Sequence, residues 1–265
     1  MNYDAQDNPV SVDITITESK VIKMRERVHA FVEEPWAARG EVKEFAGLMS
    51  WAGSVVPTLK PYTQMLWGAA YSKPAGRETS EHLSTSRIKC ALNWIEAMLD
   101  KHKTNTLRRR LLVHRSKRTV TITFDASLSG GGATWQMDNE PHVSHFITTT
   151  WSQADHECIK AQQGMPQHQA EWEAYMLLVA VHTWHPWLQK HSGSVVFKGD
   201  ALGVLQDVLA AKARSPRLNL IIAEISLALC DTDHTITAEH LWSERNAVCD
   251  SLSRMGSGDG LPEEV

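Results

Sequence analysis

At 265 residues, with 42% hydrophobic and 22% charged residues, the chain has a globular composition and room for one large domain or two modest ones. No apolar run reaches the roughly 18 residues of a membrane-spanning helix, and the polar, acidic N-terminus lacks a secretory pattern, so a cytoplasmic or nuclear, non-secreted protein without a membrane partner is expected. The net charge of −4 is unevenly spread: Lys101–Arg118 carries eight Lys or Arg and no acid, whereas residues 119–255 carry eight basic against fifteen acidic residues, a balance of −7.

In chain order, Ser11–Thr17 alternates apolar and polar residues as a half-buried strand does. Residues 18–34 then place Val21, Ile22, Met24, Val28, Phe31 and Val32 at helical spacing, and Pro35 with Arg39-Gly40 reads as a break. A second helix is expected from Glu41 to about Trp51, a short one through Met65–Trp67, and another over Ser84–Asp100. Residues 1–100 therefore read as a small, mainly helical region. The basic stretch 101–118 reads as a connector. Beyond it, strands are expected at 119–124, 133–136 and 142–150, with Gly130–Gly132 as a tight turn between the first two. Helices follow at 169–187, 201–213, 217–230 and 246–255, with strands at 194–198 and 235–241. The order predicts an α/β domain over 119–255, antiparallel at its start and parallel later, closed by a flexible tail at 256–265.

Four carboxylates occupy informative places in this scheme. Asp125 and Asp200 end strands, while Glu173 and Asp250 lie on helices. Hard divalent cations take oxygen ligands, and a pair of them clamps an in-line phosphoryl displacement, which requires converging carboxylates. Magnesium is the expected ion, with manganese as the alternative. A strand-end Asp also caps turns, and an acid near a helix start also meets the helix dipole, so each residue alone has an ordinary structural reading. A phosphate grip for such an acidic site would come from Arg108, Arg109, Arg110, Arg115, Lys117 and Arg118, which equally fit a solvated linker. Among the ten Trp residues, Trp135 and Trp242 are candidates for stacking on a base or sugar. The scattered cysteines imply reduced thiols, and His156, Cys158 and His168 lack the spacing of a zinc module.

The motifs together resemble a known family. Asp125-Ala-Ser-Leu-Ser-Gly-Gly-Gly-Ala133 is similar to the D-x-S-x-x-G-x-G opening of ribonuclease H domains. The helix from Glu173 to Pro186 resembles the one that carries the second acid in retrotransposon ribonucleases H. Val195–Asp200 resembles the strand delivering the third, and Asn246–Arg254 resembles the N-x-x-A-D-x-L-S-R ending. Glu44-Phe-Ala-Gly-Leu-Met-Ser-Trp-Ala52 is similar to the helix that follows the polymerase palm in reverse transcriptases. The resemblance, to DIRS-type or gypsy-type retroelement polyproteins, covers nearly the whole chain. It implies a ribonuclease H-like mixed five-stranded sheet flanked by helices, preceded by a thumb or connection region. It also implies metal-dependent hydrolysis of the RNA strand of RNA/DNA hybrids by Asp125, Glu173, Asp200 and Asp250. No Tyr-x-Asp-Asp motif is present, so no polymerase activity is expected, and a polymerase domain would be a partner on another chain. Cys249 replaces the family's Ala, and the Asn that commonly follows the third acid is absent after Asp200. Two further readings stand beside this one: an inactive relic that only binds nucleic acid, and a related nuclease that cuts DNA. Within the helix at 169–187 Glu171 competes with Glu173, and helical phase favours Glu173 because Ala180, Val181 and Trp184 then face inward.

Overall fold

A computed structural model describes residues 11–100, 107–112, 119–138, 145–162, 165–190, 193–230, 232 and 234–255. The expectations for 101–106, 113–118 (with Arg115, Lys117 and Arg118) and the 256–265 tail lie outside these. Two compact units are built chiefly from Val12–Leu111 with Ala211–Pro216 and from Leu112–Ala210 with Arg217–Val265. No helix of the described residues is long and apolar enough to cross a membrane.

In the first unit, α1 (Glu18–Glu33), α2 (Arg39–Val55), α3 (Lys60–Ala70) and α4 (Lys89–Asp100) surround one core. Helical spacing explains which side chains enter it: Val21, Met24, Val28 and Phe31 from α1, Val42, Phe45 and Met49 from α2, and Leu92, Ile95 and Leu99 from α4 are all buried, whereas Ile22, Val32 and Trp94, also apolar, lie exposed on the outer faces. Pro35 breaks the chain as expected, but α2 begins at Arg39, two residues early. The reason is β2 (Trp36–Ala38), which pairs antiparallel with β3 (His82–Ser84) and delivers Arg39 N to Glu81 O at 2.7 Å. The Arg39 side chain is buried and caps the end of α3, its Nη1 donating to the carbonyls of Ala69, Ala70 and Ser72. Arg39 Nη2 lies 3.5 Å from Glu78 Oε2, and Arg87 Nε lies 2.8 Å from Glu78 Oε1.

The described part of the basic stretch, where one unit gives way to the other, is extended. Arg108–Leu112 is β4, which forms a two-stranded sheet with β1 (Ser11–Thr15). Main-chain pairing to a partner strand, rather than alternation of its own side chains, makes RRRLL extended, which is why pattern reading missed it.

The second unit holds a mixed five-stranded sheet flanked by helices, as expected. Its strands are β5 (Thr119–Ala126), β6 (Gly130–Met137), β7 (His145–Thr150), β8 (Gly193–Gly199) and β9 (His234–His240), in the order β7-β6-β5-β8-β9. β7, β6 and β5 pair antiparallel, whereas β5, β8 and β9 are parallel. The antiparallel strands follow one another through short connections. The parallel ones require crossovers, supplied by α6 (Gln169–Lys190) between β7 and β8 and by α7 (Leu202–Ala210) and α8 (Pro216–Leu229) between β8 and β9. A short helix, α5 (Gln153–Ile159), precedes α6 and opens on a capping box between Ser152 and Asp155. The last helix is α9 (Ala247–Arg254).

The glycine run is not the turn. Residues 127–129 turn, and Gly130–Gly132 are the first residues of β6. Their missing side chains admit two helices. A Cβ on Gly131 would collide with Met176 of α6 and with Trp151, and one on Gly132 would stand 2.7 Å from Cys249 O and 2.8 Å from Ser253 N of α9. Successive strand residues point to opposite faces, so α6 packs on one side of β6 and α9 on the other.

Candidate metal centre

The register of the parallel pair sets up the site. Thr123 of β5 lies opposite Lys198 of β8; two residues further along, Asp125 is still paired with Gly132 of β6 near the end of β5, and Asp200 directly follows the end of β8. The ends of adjacent parallel strands thus present two carboxylates side by side. Glu173, in the second turn of α6, reaches the same place from one face of the sheet. Oxygen atoms of Asp125, Glu173 and Asp200 all lie within 4.8 Å of one another. α9 approaches from the other face and places Asp250 on the wall of the same cavity, about 510 Å³ in volume, which Asp125, Glu173 and Asp200 also line. The four carboxylates are therefore brought to one cavity, three of them in mutual ligand distance. Asp250 stands slightly apart, with Nε and Nη2 of Arg254 donating to its Oδ1 at 3.0 and 2.6 Å.

Glu171 is buried at 4% exposure but does not belong to this group. The inward phase of α6 is that of Glu173, with Ala180, Val181 and Trp184 buried and His182 exposed. Trp135 is buried against Trp184 and Trp187 and offers no surface for stacking, whereas Trp242 is 70% exposed.

Neutral donors surround the carboxylates. Asn246 Nδ2 donates to Asp125 Oδ1 at 3.1 Å and Ser253 Oγ to Asp125 Oδ2 at 2.9 Å. Gln169 Nε2 donates to Glu173 Oε1 at 3.0 Å, and Ser243 Oγ to Asp200 Oδ2 at 3.0 Å. Sequence reading missed all four, because a neutral polar residue carries no charge signal. Asn246 and Ser253 were visible only as parts of the N-x-x-A-D-x-L-S-R resemblance.

Electrostatically the group is under strain. Burial pushes the Asp125 carboxyl up from the ordinary 3.8 to about 6; the Ser253 hydrogen bond opposes this, while Asp200 and Asp250 add to it. Burial likewise raises Glu173 well above the usual carboxylate range, with the Asp125 charge as the next cause. The second Glu173 oxygen, Oε2, is buried with no hydrogen-bond partner among the described residues. A buried carboxylate oxygen without a donor, aimed among like charges, fits a hard cation better than it fits any protein group on hand. Asp125, Glu173 and Asp200 would hold such an ion, with Asp250 at its edge.

No protein-family model matches the chain, and no curated protein matches it. Similar solved structures include LC11-RNase H1, determined in complex with an RNA/DNA hybrid, at 15% identity over 51% of this chain and 93% of that one, with a TM-score of 0.41. RNase H1 from the halophilic archaeon Halobacterium salinarum matches at 12% identity over 54% of this chain and 98% of that one, with a TM-score of 0.40. A foamy viral protease-reverse transcriptase, determined with double-stranded DNA, matches at 11% identity over 85% of this chain but 35% of that one, with a TM-score of 0.31.

Proposed function

We propose that the chain is a ribonuclease H-type nuclease of retroelement origin, hydrolysing the RNA strand of RNA/DNA hybrids with magnesium. The observation that carries this reading is the convergence of Asp125, Glu173 and Asp200 within 4.8 Å, with the buried Glu173 Oε2 without a donor among the described residues. Motif order supports the choice of reaction, since the four acidic motifs occur in sequence as in ribonucleases H. When bound at such a cluster, divalent cations lower the pKa of a water and stabilise a leaving oxygen.

The chain's own residues supply the rest. Asp125 and Glu173, which both line the cavity, are held there by hydrogen bonds donated by Asn246, Ser253 and Gln169. Arg254 tempers the charge of Asp250 on the cavity wall. Phosphate contacts fall to the basic run: the Arg109 side chain is exposed on β4. The Lys60 ammonium is pushed below its usual value, first by burial and then by the cationic Lys212 and Arg109, which marks a basic patch on the helical unit. Reading of 2′-hydroxyls across a shallow minor groove would select the hybrid.

Incubating the protein with labelled RNA/DNA hybrid, double-stranded RNA and double-stranded DNA, in magnesium or EDTA, tests the reading. RNA-strand cleavage of the hybrid in magnesium alone is expected. Asp200→Asn should lower it by orders of magnitude while hybrid binding persists. Binding without cleavage would make the chain an inactive relic, and cleavage of DNA would make it a different nuclease.

A further inference from the structure

Two primary-amide side chains meet the carboxylate group in the same way. Gln169 Nε2 donates to Ala126 O at 2.7 Å and to Glu173 Oε1 at 3.0 Å. Asn246 Nδ2 donates to Phe124 O at 3.1 Å and to Asp125 Oδ1 at 3.1 Å. Phe124 and Ala126 are the residues on either side of Asp125, beyond the point where β8 stops pairing with β5 at Thr123. Each amide therefore ties one carboxylate of the group to a β5 carbonyl. One comes from the start of α6, and the other from the residue before α9.

We propose that Gln169 and Asn246 are positioning residues, a pair of amide clamps that fix Glu173 and Asp125 in cation-binding geometry before the ion arrives. The inference rests on the cation-site reading of the cluster. Like charges at this separation push carboxylates toward other rotamers, and Glu173 has a long, jointed side chain with which to escape. An amide donor restrains an ionised carboxylate without cancelling its charge. A Lys or Arg in the same place would hold it too, but would neutralise the charge the ion needs. Each clamp nitrogen uses both hydrogens, one on a main-chain carbonyl and one on a carboxylate, so the amide orientation is determined. Turning Asn246 over would set its oxygen against two acceptors. The price of this orientation is that Asn246 Oδ1 is buried with no hydrogen-bond partner among the described residues. A residue serving packing alone would not retain that deficit, whereas one serving a carboxylate ligand would.

The test measures Mn²⁺ affinity by electron paramagnetic resonance titration, and melting temperature without metal, for the full chain and for Gln169→Leu, Asn246→Leu and Asp125→Asn. Loss of a group that orients a metal ligand weakens the ion by about 10–100-fold. That loss is expected for both Leu variants while they remain folded, and raised metal should restore their hybrid cleavage but not that of Asp125→Asn. Mn²⁺ affinities within about twofold of wild type would overturn the proposal, and so would a lowered melting temperature with unchanged affinity, which marks a structural role only. If the buried Asn246→Leu fails to fold, the half-buried Gln169 decides the matter. A wild-type chain that binds no Mn²⁺ would overturn the cation-site reading itself, a failure seen without any variant.

Discussion

The two units each bury a cluster of charge, and they do so in opposite ways. In the helical unit the Glu78 side chain is 3% exposed and sits between Arg39 and Arg87. Burial alone would raise its carboxyl, but the N–H groups of Ser84 and Ala75 and the two guanidiniums outweigh burial and hold it below the usual value. In the α/β unit Asp125 and Glu173 are also buried, yet their charged neighbours are mostly other carboxylates, and both are raised. The first cluster is complete within the protein. Among the described residues the second has no positive partner of comparable charge, a pattern that suits a cation-binding group. Buried ion pairs whose partners are all present serve architecture, here the joining of α3, β2 and β3. Buried like charges persist only where something outside the chain repays their cost.

The contrast is broken most forcefully by substitution. Arg39→Met should destabilise the helical unit by roughly 1–3 kcal/mol, since it takes the donor from the main-chain carbonyls of Ala69, Ala70 and Ser72 at the end of α3. Glu173→Gln should act in the other direction. It removes a buried charge and supplies a donor where Oε2 has none, so the metal-free α/β unit should melt a few degrees higher, a shift worth on the order of 1 kcal/mol at this size. Hydrogen–deuterium exchange of the intact chain, read separately over α2–α3 and β5–β8, checks both signs. A Glu173→Gln protein that melts lower would mean the carboxylate is already satisfied.

Acidity sharpens the same comparison with a smaller effect. A raised carboxyl stabilises the fold fully below its unfolded value, and that contribution is lost as pH rises through the folded value. For Asp125 the window runs from about 3.8 to about 6, and Glu173 extends it upward. Lowering pH from 7.5 to 5 without metal should therefore protect β5–β8 from exchange. Glu78, being depressed, loses its contribution only at lower pH, so α2–α3 should not change over that interval. Saturating magnesium should flatten the α/β response, and a pH effect that survives magnesium would contradict the cation account.

The smallest effect concerns the basic patch. Arg109→Ala should reduce the slope of log affinity for hybrid against log salt by about 1, leaving turnover at saturating substrate largely unchanged. An unaltered slope would remove Arg109 from the nucleic-acid contact.

Much of this was legible in the sequence because the signals were periodic or charged. Asp125 and Asp200 announce themselves by ending β-branched runs, and one face of α6 picks Glu173 over Glu171. What escaped had no such signal. β2 and β3 are three residues each, too short for alternation, and β4 is extended only because β1 pairs with it. α5 was readable in principle, since Ser152-x-x-Asp155 is a capping pattern. Gly130–Gly132 was read as local punctuation when its cause is tertiary, the approach of α6 and α9 to β6. Gln169, Asn246, Ser243 and Ser253 are ordinary polar residues until the fold sets them on carboxylates.

The central claim is that the Asp125–Glu173–Asp200 group holds divalent cations. A crystal of the full chain grown in Mn²⁺ and measured at a wavelength sensitive to its anomalous scattering tests it directly. The account predicts an anomalous peak bounded by the carboxylates of these three residues and lost in Asp125→Asn crystals. Well-ordered carboxylates with no anomalous peak among them, at millimolar Mn²⁺ and neutral pH, would contradict it.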